Sequence, residues 1–290
     1  MNLKMSAALL VLALGFSDAA VAQESPILKR ITERGVINMG YREGAVPFSY
    51  IGPDSKPVGY AIDLCMKVID KVKETVKKPD LKINLVPVTS ANRIPLMANG
   101  TIDLECGTTA ITLARLKQVN FLPVHFVTGV KLMVKKGSGI KEIEDLKGKS
   151  IGVTLGTTEE KIIRDISDSG KLDIKVVPVK EHTQGGLALE TDRIDAYTTD
   201  DVLLYGLISA SKTPEKYEVV GRNLYPNPYA IMVPRDDDTY RLLGQTVLAD
   251  MMRTGEIYKL YDKWFVGQGT VGMPLNDANK WQYTLQGFNP

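Results

Sequence analysis

Nine polar residues fall where predicted strands end or predicted helices begin. Arg42 follows a strand in Gly40-Tyr41-Arg42-Glu43. Ser90 and Arg93 stand in Thr89-Ser90-Ala91-Asn92-Arg93-Ile94-Pro95. Thr108 follows the strand that ends near Gly107, and Arg115 lies seven residues on. Thr154 and Thr157 close another strand in Val153-Thr154-Leu155-Gly156-Thr157-Thr158. His182 and Asp200 follow two more. Ligands of open α/β sheets bind outside the carboxyl ends of strands, so these groups can meet in one cleft. Their chemistry is lopsided. Three arginines, several hydroxyls and the N–H groups of a Gly-Thr-Thr helix start all donate hydrogen bonds. Arginine pairs bidentately with carboxylates, and helix N-termini favour anions. One aspartate is left to accept a cation. A ligand with two carboxylates and one ammonium uses the whole set. Singly, each residue has an ordinary role: a solvated arginine, a helix cap, a structural histidine. Only the joint pattern points to a ligand.

The elements that must position these groups alternate between strand and helix. Strand-like segments cover 36–39, 82–86 and 102–106. An amphipathic helix covers 61–76, with Ile62, Cys65, Ile69, Val72 and Val76 on one stripe, and a short helix covers 94–98. The order then restarts: strands at 131–135, 150–153, 174–177 and 194–197, and helices at 158–167 and 186–191. Asn99-Gly100-Thr101-Ile102-Asp103-Leu104 has an echo in Thr191-Asp192-Arg193-Ile194-Asp195-Ala196. Two similar α/β units follow. Segments 121–126 and 226–234 read as crossings between them. Helices at 238–253 and 256–265 return to the first unit, and Trp281 and Tyr283 predict that the tail packs on a lobe. Two crossings between two lobes make a hinge around a cleft.

The chain has 290 residues, 44% of them hydrophobic and 24% charged, a globular balance with room for about two domains. The net charge of +2 predicts no nucleic-acid partner. Two histidines and two cysteines are too few for most multi-ligand zinc sites, and no cofactor is expected. Residues 1–22 read as a secretory signal: Lys4, an apolar run over 7–16, then Ala20-Val21-Ala22 as the cleavage site. Export makes a Cys65–Cys106 bridge one reading and two separately buried thiols the other.

Gly40-Tyr41-Arg42-Glu43 with Val46-Pro47-Phe48-Ser49-Tyr50, then Val58-Gly59-Tyr60 leading to Asp63-Leu64, resembles the opening of the family 3 extracellular solute-binding proteins, which serve polar amino-acid ABC transporters. The segment from Thr89 to Leu96, and Asn99-Gly100-Thr101-Ile102-Asp103-Leu104-Glu105-Cys106-Gly107, are similar to the glutamate/aspartate-binding branch of that family. The likeness runs from about residue 28 to residue 265. It implies an α/β, two-lobe type II periplasmic-binding fold with two hinge crossings. Residues 23–127 and 231–290 would form one lobe and 128–230 the other. By the same resemblance, Arg115 clamps the α-carboxylate with Thr108 and the Thr157 N–H, and Asp200 accepts the α-ammonium. Arg42, Ser90, Arg93 and His182 hold the side-chain carboxylate, and Thr154 adds a cleft contact. Thr108 stands where that branch often has serine, and Leu155 where a smaller residue is common.

The resulting expectation is a monomeric periplasmic protein that is not an enzyme. It captures L-glutamate or L-aspartate and delivers it to a membrane permease. Two alternatives stand beside it: a binding protein for a neutral polar amino acid such as glutamine or asparagine, and a periplasmic dehydratase with His182 as its acid or base.

Overall fold

A computed structural model describes residues 25–267 and 271–288. The expected signal, 1–22, lies outside the described residues. Ser25 caps α1 (Pro26–Arg34), its hydroxyl accepting the Leu28 N–H at 3.0 Å, and Gly35 at φ 65° ends the helix. The chain continues through β1 (Val36–Tyr41), the small meander β2 (Gly44–Ala45), β3 (Ser49–Ile51) and β4 (Pro57–Val58), then α2 (Tyr60–Thr75), β5 (Lys82–Pro87), α3 (Arg93–Ala98), β6 (Leu104–Cys106) and α4 (Leu113–Leu116). β1 lies between β5 and β6, parallel to both, with Val36 opposite Lys82 and Met39 opposite Leu104. Parallel neighbours need crossovers, and helices supply them.

β7 (Asn120–Lys135) runs on into the second unit: β8 (Lys149–Thr154), α5 (Thr158–Asp168), β9 (Ile174–Val179), α6 (His182–Glu190), β10 (Ala196–Asp200), α7 (Asp201–Ala210) and β11 (Tyr217–Val220). β8 is parallel to β9 and β10, while β10 and β11 flank β7 antiparallel. β12 (Pro226–Val233) returns, and α8 (Asp238–Thr254), α9 (Glu256–Tyr261) and α10 (Asp277–Gln286) follow.

The two crossings are therefore neighbouring antiparallel strands. β7 pairs with β12 from Asn120 opposite Val233 to Gly129 opposite Pro226, then changes partner, Val130 facing Asp200. The segments 121–126 and 131–135, read separately from sequence, are one continuous strand. Register shifts around Ala230 bend its partner. Other boundaries moved for local reasons. The helix expected at 186–191 begins at His182, because Gly185 is a packing glycine and not a break: a Cβ there would sit 2.1 Å from the Tyr197 ring. The strand expected at 194–197 is β10, because Asp195 is spent on a turn, accepting the Ser150 N–H at 2.8 Å.

Apolar faces among the described residues fill four clusters, two of them larger than the rest. α2 packs Leu64, Cys65, Val68, Ile69 and Val72 with Ile37 and Leu104 in one; Ile151, Val153, Ile163, Ile174 and Ala196 belong to the other. At the crossings Phe48 meets Phe126, Tyr229 and Phe265 edge-on at 5.0, 5.3 and 5.4 Å. The cysteine question resolves as a bridge: Cys65 of α2 is bonded to Cys106 of β6, with Cα atoms 6.1 Å apart. Of the two tail aromatics expected to pack, Tyr283 is buried but Trp281 is 67% exposed. α10 instead holds β7 through amides. Asn279 accepts the Val127 N–H at 2.7 Å and donates to its carbonyl at 3.1 Å, and Gln286 does the same at Val124, 2.9 Å each way.

His125 sits inside this knot, with neither ring nitrogen partnered among the described residues. Burial pushes its pKa down to about 3. Between that value and the ordinary ~6.5 the unfolded chain holds the extra proton, so stability is present above about pH 6.5 and falls as the pH drops toward 3. The expected cost from this group between pH 6.5 and pH 5 is about 2 kcal/mol. Urea unfolding of the wild type and His125→Phe at those two pH values checks it: the variant should lose that part of the slope, and equal slopes would contradict the assignment.

Candidate functional site

Seven of the nine singled-out residues line one cavity: Ser90, Arg93, Thr108, Arg115, Thr157, His182 and Asp200. They come from the carboxyl ends of strands and the starts of helices on both units. Arg93 opens α3 and is 2% exposed; its Nε and Nη1 have no partner among the described residues, nor has the Ser90 hydroxyl. Burial and the neighbouring cations of Arg115 and Arg42 push the Arg93 pKa down to about 9. Arg115 donates to the Ala110 carbonyl at 2.7 Å and, across the cleft, to the Gly156 carbonyl at 3.1 Å. Thr157 caps α5, its hydroxyl accepting the Glu160 N–H at 3.1 Å and donating to the Thr154 carbonyl at 2.7 Å.

The other two stand outside the lining. Arg42 is fully buried, but its Nη2 lies 2.6 Å from Glu181 Oε2, an ion pair that joins the two lobes. Thr154 Oγ1 lies 2.7 Å from the Tyr197 hydroxyl and 3.4 Å from His182 Nδ1, while Tyr197 lies 2.8 Å from that nitrogen. Thr154 and Tyr197 thus orient His182. Burial, with Arg42 and Arg93 nearby, lowers the His182 pKa well below its ordinary value, so the ring is neutral at pH 7.

Sequence reasoning missed Glu159, Thr199 and Tyr229, which also line the cavity. Glu159 hid in the capping pattern Gly-Thr-Thr-Glu-Glu. Glu160 takes the capping role, accepting the Gly156 N–H at 2.8 Å, and the helical turn sends Glu159 to the buried side, 3% exposed. Tyr229 sits on a crossing and donates its hydroxyl to Asp200 Oδ2. Asn227 approaches the same carboxylate from behind, donating to Asp200 Oδ1 at 2.8 Å. Burial and Glu159 hold the Asp200 carboxyl well above the usual range.

The lobes touch tightly around the cavity. Gly156, at φ 78°, is so close that a Cβ would lie 2.6 Å from Ala91 Cα and 2.7 Å from the Ser90 carbonyl oxygen. Gly206 of α7 likewise faces the Val46 carbonyl at 2.3 Å from its would-be Cβ.

A cleft between two α/β lobes joined by paired crossing strands, lined by buried arginines, hydroxyls and carboxylates, defines a two-lobe binding protein for a small polar molecule. The chain belongs to the bacterial extracellular solute-binding proteins, family 3, whose pattern it matches over residues 37–267. It is 39% identical over 251 residues to the L-glutamate/L-aspartate-binding protein of Pseudomonas aeruginosa, covering 86% of this chain and 83% of that one. It is 38% identical over 266 residues to the glutamate/aspartate import solute-binding protein of Salmonella typhimurium, covering 90% and 88%. Among solved structures, an ancestral arginine-binding protein bound to glutamine superposes with a TM-score of 0.72 at 29% identity, covering 81% of this chain and 99% of that one.

Proposed function

We propose that the protein captures L-glutamate or L-aspartate between its lobes and delivers it to a membrane permease of an ABC importer, working as a monomer in the periplasm. One observation carries the reading: Arg93 is buried, lines the cavity and keeps Nε and Nη1 unpartnered, with Arg115 and Asp200 in the same lining. Arg115, Thr108 and the start of α5 take the α-carboxylate, and Asp200 takes the ammonium. Arg93, Ser90 and neutral His182 take the distal carboxylate. Arg42, paired with Glu181, supports this end from behind the lining, and Thr154 acts through His182. The names of the relatives support the acidic ligand. The signal read over 1–22 supports export, and no helix among the described residues is long and apolar enough to cross a membrane. We assign 23–127 with 231–290 to one lobe and 128–230 to the other. The solute-binding relatives favour capture over turnover.

A neutral polar ligand is the second reading. Glu181 already offsets Arg42, and Glu159 adds an anion to the lining. A thermal-shift panel of the amino acids on unfolded and refolded mature protein separates the two. Glutamate and aspartate at a hundred times their Kd should stabilise by about 2.7 kcal/mol, with glutamine far behind. A larger shift with glutamine contradicts the acidic assignment.

Closure of the lobes is part of the proposal, since only contacts to both lobes can favour a closed state. Gly206→Ala places a methyl against the Val46 carbonyl. It should weaken binding at least about tenfold, ~1.4 kcal/mol, and leave the protein folded. Titration with unchanged affinity would remove this contact from the closing surface.

A further inference from the structure

We propose that Glu159 is a second carboxylate of the ammonium subsite, sharing one proton with Asp200 until the ligand's ammonium takes that proton's place. The inference rests on the amino-acid reading above and deepens it. Glu159 and Asp200 come from different elements, α5 and β10. Each is 3% exposed, and both line the cavity. Asn227 joins them from β12: its Nδ2 lies 3.0 Å from Glu159 Oε1, 2.8 Å from Asp200 Oδ1 and 2.9 Å from Thr158 Oγ1. An amide nitrogen carries two hydrogens, so it cannot serve three acceptors in full. Tyr229 supplies one more, to Asp200 Oδ2. With the Thr158 hydroxyl counted as a donor, the lone pairs of two carboxylates still outnumber the hydrogens, and a proton between the carboxylates fills one more.

Electrostatics points the same way. Two facing carboxylates in a dry site cannot both ionise cheaply. Arg115 from α4 and Arg93 from α3 are the cations near this end, and Glu105 from β6 adds a further anion. Those arginines are the groups assigned to the ligand's carboxylates. An ammonium brings three N–H donors and one positive charge to the lone pairs the proton held. The proton leaves to solvent, and the pair with its occupant keeps a net charge of minus one before and after. Thr199 lines the same cavity, 1% exposed with its hydroxyl unpartnered among the described residues, so the cavity wall offers a polar group besides the acids.

Isothermal titration of the mature protein with L-glutamate at pH 7, in phosphate and in Tris, tests this, because the two buffers differ in ionisation enthalpy. The expected result is release of about one proton per ligand, with the apparent Kd rising about tenfold for each pH unit lowered. Glu159→Gln and Asp200→Asn should each bind more weakly and release close to none; either variant serves if the other does not fold. Binding with no proton release by the wild type overturns the proposal and leaves the amino-acid reading intact. The pair is also read without ligand, by infrared spectroscopy of the ligand-free protein at pH 7. A carboxylic-acid carbonyl band should be present in the wild type and lost in Glu159→Gln. Its absence from the wild type overturns the proposal, whereas failure of L-glutamate to bind overturns the amino-acid reading that the proposal deepens.

Discussion

Arg93→Met should lower the affinity for glutamate and aspartate at least a hundredfold while making the ligand-free protein more stable. Both halves follow from one fact. Arg93 is 2% exposed, and two of its guanidinium nitrogens have no partner among the described residues. Burial and two neighbouring arginines already press its pKa down to about 9. A buried cation without a full set of partners costs folding free energy, and an apolar side chain of similar reach should recover part of it. The same cation would meet the ligand's distal carboxylate, where each charge-assisted hydrogen bond contributes about 1.5–3 kcal/mol. Losing two such bonds is two to four decades in Kd. Titration and denaturant unfolding of the same variant read both effects. Reduced affinity together with reduced stability would show that Arg93 is a structural ion and not a ligand group held in readiness.

Removing the Cys65–Cys106 bridge should cost about 4 kcal/mol of unfolding free energy. The bond joins residues 41 apart in sequence, and closing a loop of that size in the unfolded chain predicts about that figure. The bridge also fixes the site. Cys106 ends β6, and the next residues turn into the cavity: Thr108 lines it, and Thr109 donates to Glu105 Oε2 at 2.7 Å. Freed from α2, this turn loses its anchor. Urea unfolding with and without a reductant, and of the Cys65→Ala/Cys106→Ala double variant, measures the cost. Coincident midpoints would mean that the packing of α2 on β6 suffices without the bond.

The layer order was legible in the sequence because apolar periodicity reports burial directly. α2 keeps its apolar stripe, and β1, β5 and β8 extend the predicted segments by one or two residues at an end. The crossings were harder. Val124 and His125 alternate poorly because β7 is covered by α10 through side-chain amides, a pairing that leaves no apolar signature. α7 shows no one-sided periodicity, because the consecutive residues Val202, Leu203 and Leu204 are all buried. At the site, the donors were readable because they follow strands. Their division of labour was not. Nothing in the chain order says that Glu181 reaches Arg42 across the cleft, or that Thr154 faces Tyr197 and His182 and not the cavity. Those facts depend on how two lobes meet. Glu159 was hidden for a simpler reason: two consecutive glutamates at a helix start look alike until the 100° turn between them separates cap from lining.

The central claim is that the pocket recognises two carboxylates and one ammonium. Isothermal titration of unfolded and refolded mature protein with L-glutamate, L-aspartate and L-glutamine tests it most directly, because refolding strips any ligand carried through purification. Both acids should bind with glutamine at least a hundredfold weaker, since an amide leaves Arg93 without its anion in the closed cleft. Glutamine binding as well as or better than the acids would contradict the claim.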